Sequence, residues 1–146
     1  MIGSGRKAKG RSIGRGHVSR GLIHALFGLP FSARQRRLGR NRKALTETEF
    51  VRQIIDQGGD PDAAIAVWSR LRDWRYDENF TPYPKDSLGS VYGIAEEEKD
   101  EDLILSILKE LDVPIPSQEA INGFGEVETP LQIARFVAFC RKRGLR

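Results

Sequence analysis

The chain has 146 residues and an apolar fraction of 39%, which allows one modest domain but not two. Residues 1–43 contain 12 Lys and Arg and no acid, whereas residues 44–146 contain the other 12 bases and all 20 acids. These counts predict a flexible basic arm (1–43, +12) joined to an acidic helical body (44–146, −8). The single cysteine excludes an intrachain disulfide, so a cytoplasmic location is expected. No apolar run approaches the ~18 residues of a transmembrane helix.

The arm combines two kinds of sequence. Residues 1–21 are rich in Gly, Ser, Arg and Lys and are predicted to be disordered. Residues 22–43 add the apolar stretch LIHALFGLPF and then RQRRLGRNRK. Four interpretations stay open: a solvated extension or sequence upstream of the true start, a nucleic-acid binder, a targeting segment, or a membrane-surface segment. The residues that would bind nucleic acid are Arg34, Arg36, Arg37, Arg40, Arg42 and Lys43.

Two helices are predicted at the start of the body. Thr46 and Glu49 have capping-box spacing, and Gly58-Gly59 ends the first helix. Its apolar stripe comprises Phe50, Val51, Ile54 and Ile55. Asp60-Pro61 begins the second helix, with Asp as cap and Pro in the first turn. Its predicted buried face comprises Ile65, Trp68, Leu71 and Trp74. Residues 76–95 then form a loop, in which Asp86 is expected to cap one short turn.

An acidic helix is the strongest local signal in the body. Its apolar residues recur at helical steps and comprise Leu103, Ile104, Ile107, Leu108 and Leu111. Acids crowd the first turns, where the helix dipole favours them, and we predict that they dock on a basic partner. These docking residues are Glu96, Glu97, Glu98, Asp100, Glu101 and Asp102. They are nearly consecutive, which suits neither a calcium loop nor paired acid–base catalysis, so no catalytic or metal residue is predicted.

The end of the chain predicts two more helices. Val113-Pro-Ile-Pro116 ends the acidic helix, because proline is excluded from a helix interior. Ser117 then caps a short turn, and Thr129-Pro130 opens a final apolar helix. Cys140 lies on the apolar surface of that helix, so we expect a buried thiol rather than a nucleophile.

The order of these elements over residues 44–143 resembles an acyl carrier protein. The resemblance is carried by EFVRQIID, FTP, DSLG, DLILSILKELDVPIPSQEA and the last apolar helix. It implies an all-α four-helix bundle, to which the helix near residues 61–74 would be an addition. The body is similar also to an uncharacterised group of bacterial acyl-carrier-like proteins.

The resemblance also implies a position for a prosthetic group. Carrier proteins attach phosphopantetheine to a serine in an Asp-Ser-Leu motif at the start of their second helix. Counting back from Pro116 places Glu97 there, so no cofactor is expected. The chain does contain Asp86-Ser87-Leu88, well ahead of the helix. We therefore predict a non-enzymatic interaction module that docks through its acidic helix. The alternatives are a genuine carrier modified on Ser87 and a nucleic-acid binder that uses the basic arm.

Overall fold

The structure is a computed structural model, and it describes residues 30–144. Seven helical elements occur there and no strand, which confirms the predicted all-α class. They are α1 (residues 30–41), α2 (Glu47–Asp56), α3 (Pro61–Arg70, continued by a 3-10 turn over Leu71–Trp74), α4 (Leu88–Tyr92), α5 (residues 96–110), α6 (Gln118–Phe124) and α7 (Pro130–Gly144). α5 is continuous through Glu96–Glu98, a π-helical stretch over Lys99–Leu105, and Ser106–Glu110. None of the described helices has the length and apolarity needed to cross a membrane.

The core forms where α3 packs between α2 and α7. Small side chains allow the helices to approach closely, since Ala63, Ala64 and Ala134 are fully buried. Gly59 lies at the junction of all three helices, where an added Cβ would come within 2.9 Å of the Cβ of Ala134. The next residue, Asp60, donates its backbone N–H to the carbonyl of Ala134 at 3.0 Å. The turn between α2 and α3 is therefore fixed directly against α7.

The helix starts follow the local sequence signals. The Thr46 hydroxyl accepts the N–H of Glu49, and the Glu49 carboxylate accepts the N–H of Thr46, which confirms the capping box. Asp60 caps α3 ahead of Pro61, and Ser117 caps α6. These ends were predictable because each cap bonds only within its own turn.

Two predictions about the body are wrong. Ile65 was assigned to the buried face of α3, yet it is 47% exposed. Asp86 was expected to cap the short turn, whereas Ser87 caps α4 by accepting the N–H of Ser90. Ser87 can take this role because the Asp86 carboxylate is already bound by Arg42 and by the hydroxyl of Tyr92.

The boundary predicted between arm and body also needs correction. Residues 30–43 were assigned to the flexible arm, but residues 30–41 form α1, which packs on the body. Gln35 is fully buried, and its amide donates to the carbonyls of Trp74 and Val91 while its oxygen accepts the N–H groups of Tyr76 and Asp77. The disorder predicted for residues 1–21 lies outside the described residues.

A close contact joins the start of α1 to the chain just before α5. Phe31 stacks on Tyr76, with 5.8 Å between ring centroids, and lies against the backbone of Gly93. Gly93 has a φ of 69°, and an added Cβ would lie 2.8 Å from the Phe31 ring. Glycine is thus required at position 93 both by backbone conformation and by space.

We predict that Gln35→Ala destabilises the protein by about 3 kcal/mol, because it leaves buried carbonyl and N–H groups without partners. The measurement is urea unfolding followed by circular dichroism. Arg37→Ala is the matched control, since Arg37 is exposed on the same helix and its replacement should stay within about 0.5 kcal/mol. Equal losses in the two variants would contradict the role assigned to Gln35.

Candidate acidic groove

A groove of about 510 Å³ lies between α5, α6 and the segment of residues 125–128. Its apolar lining is contributed by α5, α6, α7 and the chain between them. The apolar side chains are Ile104, Leu105, Leu108, Ile115, Ile121, Val127 and Phe136. Leu105 is 41% exposed and Ile115 is 62% exposed, so the groove presents apolar surface to solvent.

Four acidic residues line the same groove. Glu96 and Asp100 come from α5, and Glu126 and Glu128 come from the segment that precedes α7. All four are exposed. Because acids from two separate parts of the chain line one apolar surface, the groove carries a local negative field.

Lys99 is the one basic residue that lines the groove within residues 30–144. It is only 7% exposed, and its Nζ lies 2.8 Å from Oε2 of Glu96. This pairing accounts for one acid. Among the described residues, the lining of the groove offers no basic side chain to the other three. Lys99 could not be predicted as a groove residue from the sequence, because its burial comes from the surrounding helices and not from the local pattern.

The structure divides the six predicted docking acids. Only Glu96 and Asp100 line the groove, since they share with Ile104 and Leu108 the four-residue spacing of one helix face. Glu98 instead accepts the N–H of Ala95 at the first turn. The acids that do not line the groove are Glu97, Glu98, Glu101 and Asp102. The two acids contributed from outside the helix, Glu126 and Glu128, were missed by the sequence analysis.

The π-helical stretch of α5 coincides with the groove. It contains Lys99, Asp100 and Ile104, all of which line it. π-Helical turns are rare and occur frequently at functional sites, because they alter which side chains project on one face. The π-helical stretch is therefore a second observation, separate from the groove, that singles out this part of α5.

The basic residues predicted for nucleic-acid binding also fall into two groups. Arg42 forms a bidentate pair with Asp86, at 2.6 and 2.9 Å, and Lys43 pairs with Glu49 at 2.9 Å. Arg34 donates to the carbonyl of Ser90. These three serve contacts within the fold. The other three basic residues are exposed and form no ion pair within residues 30–144; they are Arg36, Arg37 and Arg40.

Ser87 lies close to one edge of the groove. Its hydroxyl accepts the N–H of Ser90 at 3.1 Å, and the N–H of Leu88 donates to the carbonyl of Glu128 at 2.9 Å. Glu128 is one of the groove residues. The serine is half-buried, and its hydroxyl already has a structural role as the cap of α4.

The single cysteine of the chain lies outside the lining of the groove. Cys140 is 1% exposed, and burial raises the pKa of its thiol to about 11. A thiol with such a pKa is almost entirely protonated near neutrality and is a poor nucleophile. Within residues 30–144, no group of three or more His, Cys, Asp and Glu side chains could hold a metal ion.

The chain was compared with family models, with curated proteins and with solved structures, and nothing matched in any of the three comparisons. The resemblance to acyl carrier proteins therefore stays a prediction. The function has to be argued from the groove itself, that is, from its apolar lining, its acidic residues and its internally paired lysine.

We predict that iodoacetamide alkylates Cys140 much more slowly in the folded chain than in urea, as measured by mass at pH 8. The thiol of the unfolded chain ionises near its ordinary pKa of 9.0, whereas the folded thiol ionises near 11. The contribution of Cys140 to stability is therefore constant below pH 9 and falls as the pH rises from 9 toward 11. Cys140→Ala should lack this loss, and equally rapid alkylation in both states would show that the thiol is accessible.

Proposed function

We propose that this protein is a non-enzymatic interaction module, which binds a basic amphipathic segment of a partner protein in the groove between α5 and α6. One observation carries the proposal: among the residues that the structure describes, an exposed apolar groove is lined by four acids and by a single lysine, which is paired with Glu96. Helices with one apolar face commonly bind in grooves of this kind. A cytoplasmic location stays part of the prediction.

The two components of the groove would contribute differently to binding. Covering Leu105 and Ile115 would remove apolar surface from water, and each Å² removed contributes roughly 25 cal/mol before the costs of association. The acids Asp100, Glu126 and Glu128 would attract a basic segment, which raises the association rate and disfavours acidic partners. Affinity would therefore depend on both apolar content and positive charge.

Reversing the charge of the groove tests the proposal. We predict that the triple variant D100K/E126K/E128K weakens binding of an 18-residue Leu/Lys amphipathic peptide at least about 10-fold, because each lost or reversed pair costs roughly 0.5–1 kcal/mol. The measurement is fluorescence anisotropy of the labelled peptide at low and at high salt. E47K/D56K/E78K is the matched control, since all three acids are exposed and none lines the groove. Equal weakening by both variants would show that net charge alone drives binding.

The carrier-like architecture belongs to the same proposal. Its support is the order of elements from α2 to α7, with a long connection ahead of the acidic helix α5 and the short helix α6 before the last one. In this interpretation α3 is the added helix, and Glu97 occupies the position of the modified serine. The module would then use a carrier-like acidic helix for docking without carrying a prosthetic group.

A genuine carrier modified on Ser87 is the first alternative. It is favoured by the position of Ser87, which lies close to Glu128. A phosphopantetheine attached to Ser87 would therefore begin at the edge of the groove. This alternative predicts an intact mass, for protein from its native cell, increased by one phosphopantetheine. Ser87→Ala should abolish the increase and Ser90→Ala should keep it. An unmodified mass in the native protein would eliminate this alternative.

Nucleic-acid binding is the second alternative. It is favoured by Arg36, Arg37 and Arg40, which are exposed on α1 and form no ion pair within the described residues. Binding through phosphates would weaken steeply with salt, by roughly one power of salt concentration per contact. Titration with a single-stranded oligonucleotide, compared between the intact chain and R36Q/R37Q/R40Q, separates this alternative from peptide binding.

A further inference from the structure

We propose that residues 1–29 of the chain occupy the acidic groove when no partner is bound, so that the protein regulates its own docking site. This inference rests on the proposed function, since it takes the groove to be a binding site for basic amphipathic segments. It adds an intramolecular competitor, which an external partner must displace.

The first argument is where the described chain begins. Phe31 lies against Gly93, three residues before Glu96, and Arg34 donates to the carbonyl of Ser90. Phe31 also stacks on Tyr76, whose pKa is raised first by burial and second by the negative charge of Glu98 in the opening turn of α5. Residue 30 therefore lies near the first turn of α5, which contributes Glu96 to the groove.

The second argument is chemical complementarity. Residues 1–29 contain six basic residues and no acid, and they end in the apolar stretch LIHALFGL. The basic residues are Arg6, Lys7, Lys9, Arg11, Arg15 and Arg20. The groove offers the opposite set, an apolar lining with four acids. The segment thus has the charge and the apolar content that the groove requires of an occupant.

Residues 1–29 are long enough to reach the groove. A chain of 29 residues can extend to at most roughly 100 Å, since each residue adds at most about 3.3–3.6 Å. α5 has 15 residues, and a helix of that length extends about 22 Å. A tethered segment that can reach its site has an effective concentration on the order of millimolar, which favours it over a second copy of the chain at micromolar concentration.

A peptide-competition experiment tests the inference on the intact chain. R11Q/R15Q/R20Q removes three positive charges from the segment, and R36Q/R37Q/R40Q removes three from α1 as the matched control. We predict that the first variant binds the Leu/Lys peptide about 5-fold more tightly at low salt, as expected for the loss of a few exposed ion pairs that compete with it. The gain should disappear at high salt. No gain, or the same gain in both variants, would overturn the inference.

A second measurement needs no peptide. A nitroxide is attached to S12C in the intact chain, where the buried Cys140 is not expected to react. We predict that it broadens the amide resonances of Leu105, Ile121 and Val127 in the groove, while those of Ile55 and Ile65, which lie away from it, stay sharp. Uniform or absent broadening would overturn the inference. A control mixes nitroxide-labelled chains with isotope-enriched chains that carry no nitroxide. Broadening of the groove resonances in that mixture would also overturn the inference, because it means that a second copy of the chain occupies the groove.

The two measurements distinguish the inference from the function on which it rests. Groove broadening without binding of any basic peptide would support intramolecular occupation and count against an external partner. Peptide binding with no groove broadening, and with equal affinities for the two arginine variants, would support the proposed function and overturn the intramolecular inference.

Discussion

The buried carboxylate of Asp86 is the interaction on which the placement of α1 depends. It accepts two hydrogen bonds from Arg42, one from the N–H of Tyr83 and one from the hydroxyl of Tyr92. A charge that is only 7% exposed is tolerable because it is paired and fully hydrogen-bonded. The Arg42 guanidinium also lies 4.0 Å from the centroid of the Tyr83 ring, which adds a cation–π contact. One carboxylate thus joins α1, the long loop and α4.

A second polar contact, seven residues before Arg42, adds to this arrangement. Gln35 satisfies backbone groups at the end of the 3-10 turn and in α4, and it is fully buried while doing so. With both contacts in place, the start of α1 lies beside Gly93 and close to the first turn of α5. The point at which residues 1–29 join the packed chain is therefore set by polar contacts that are remote from the groove in sequence.

The features predictable from the sequence are those that local chemistry determines. The caps at Thr46, Asp60 and Ser117 bond within one turn, and Leu103 and Ile107 lie at helical steps on the buried face. Local spacing could not show that Arg42 pairs with Asp86 across 44 residues, because the loop between them sets that meeting. For the same reason, residues 30–41 could not be distinguished from a solvated basic arm by sequence, although they form α1 and pack on the body.

The groove shows the same division. Glu96 and Asp100 could be placed on one face by their four-residue spacing, but Glu126 and Glu128 lie beyond two prolines and a short helix.

The close contact of Phe31 with Gly93 has a consequence for recognising related chains. A residue with a side chain at position 93 would collide with the aromatic ring, so the two positions are constrained as a pair. In diverged relatives, an aromatic residue at 31 should therefore be accompanied by glycine at 93, which offers a marker of shared ancestry independent of any carrier motif.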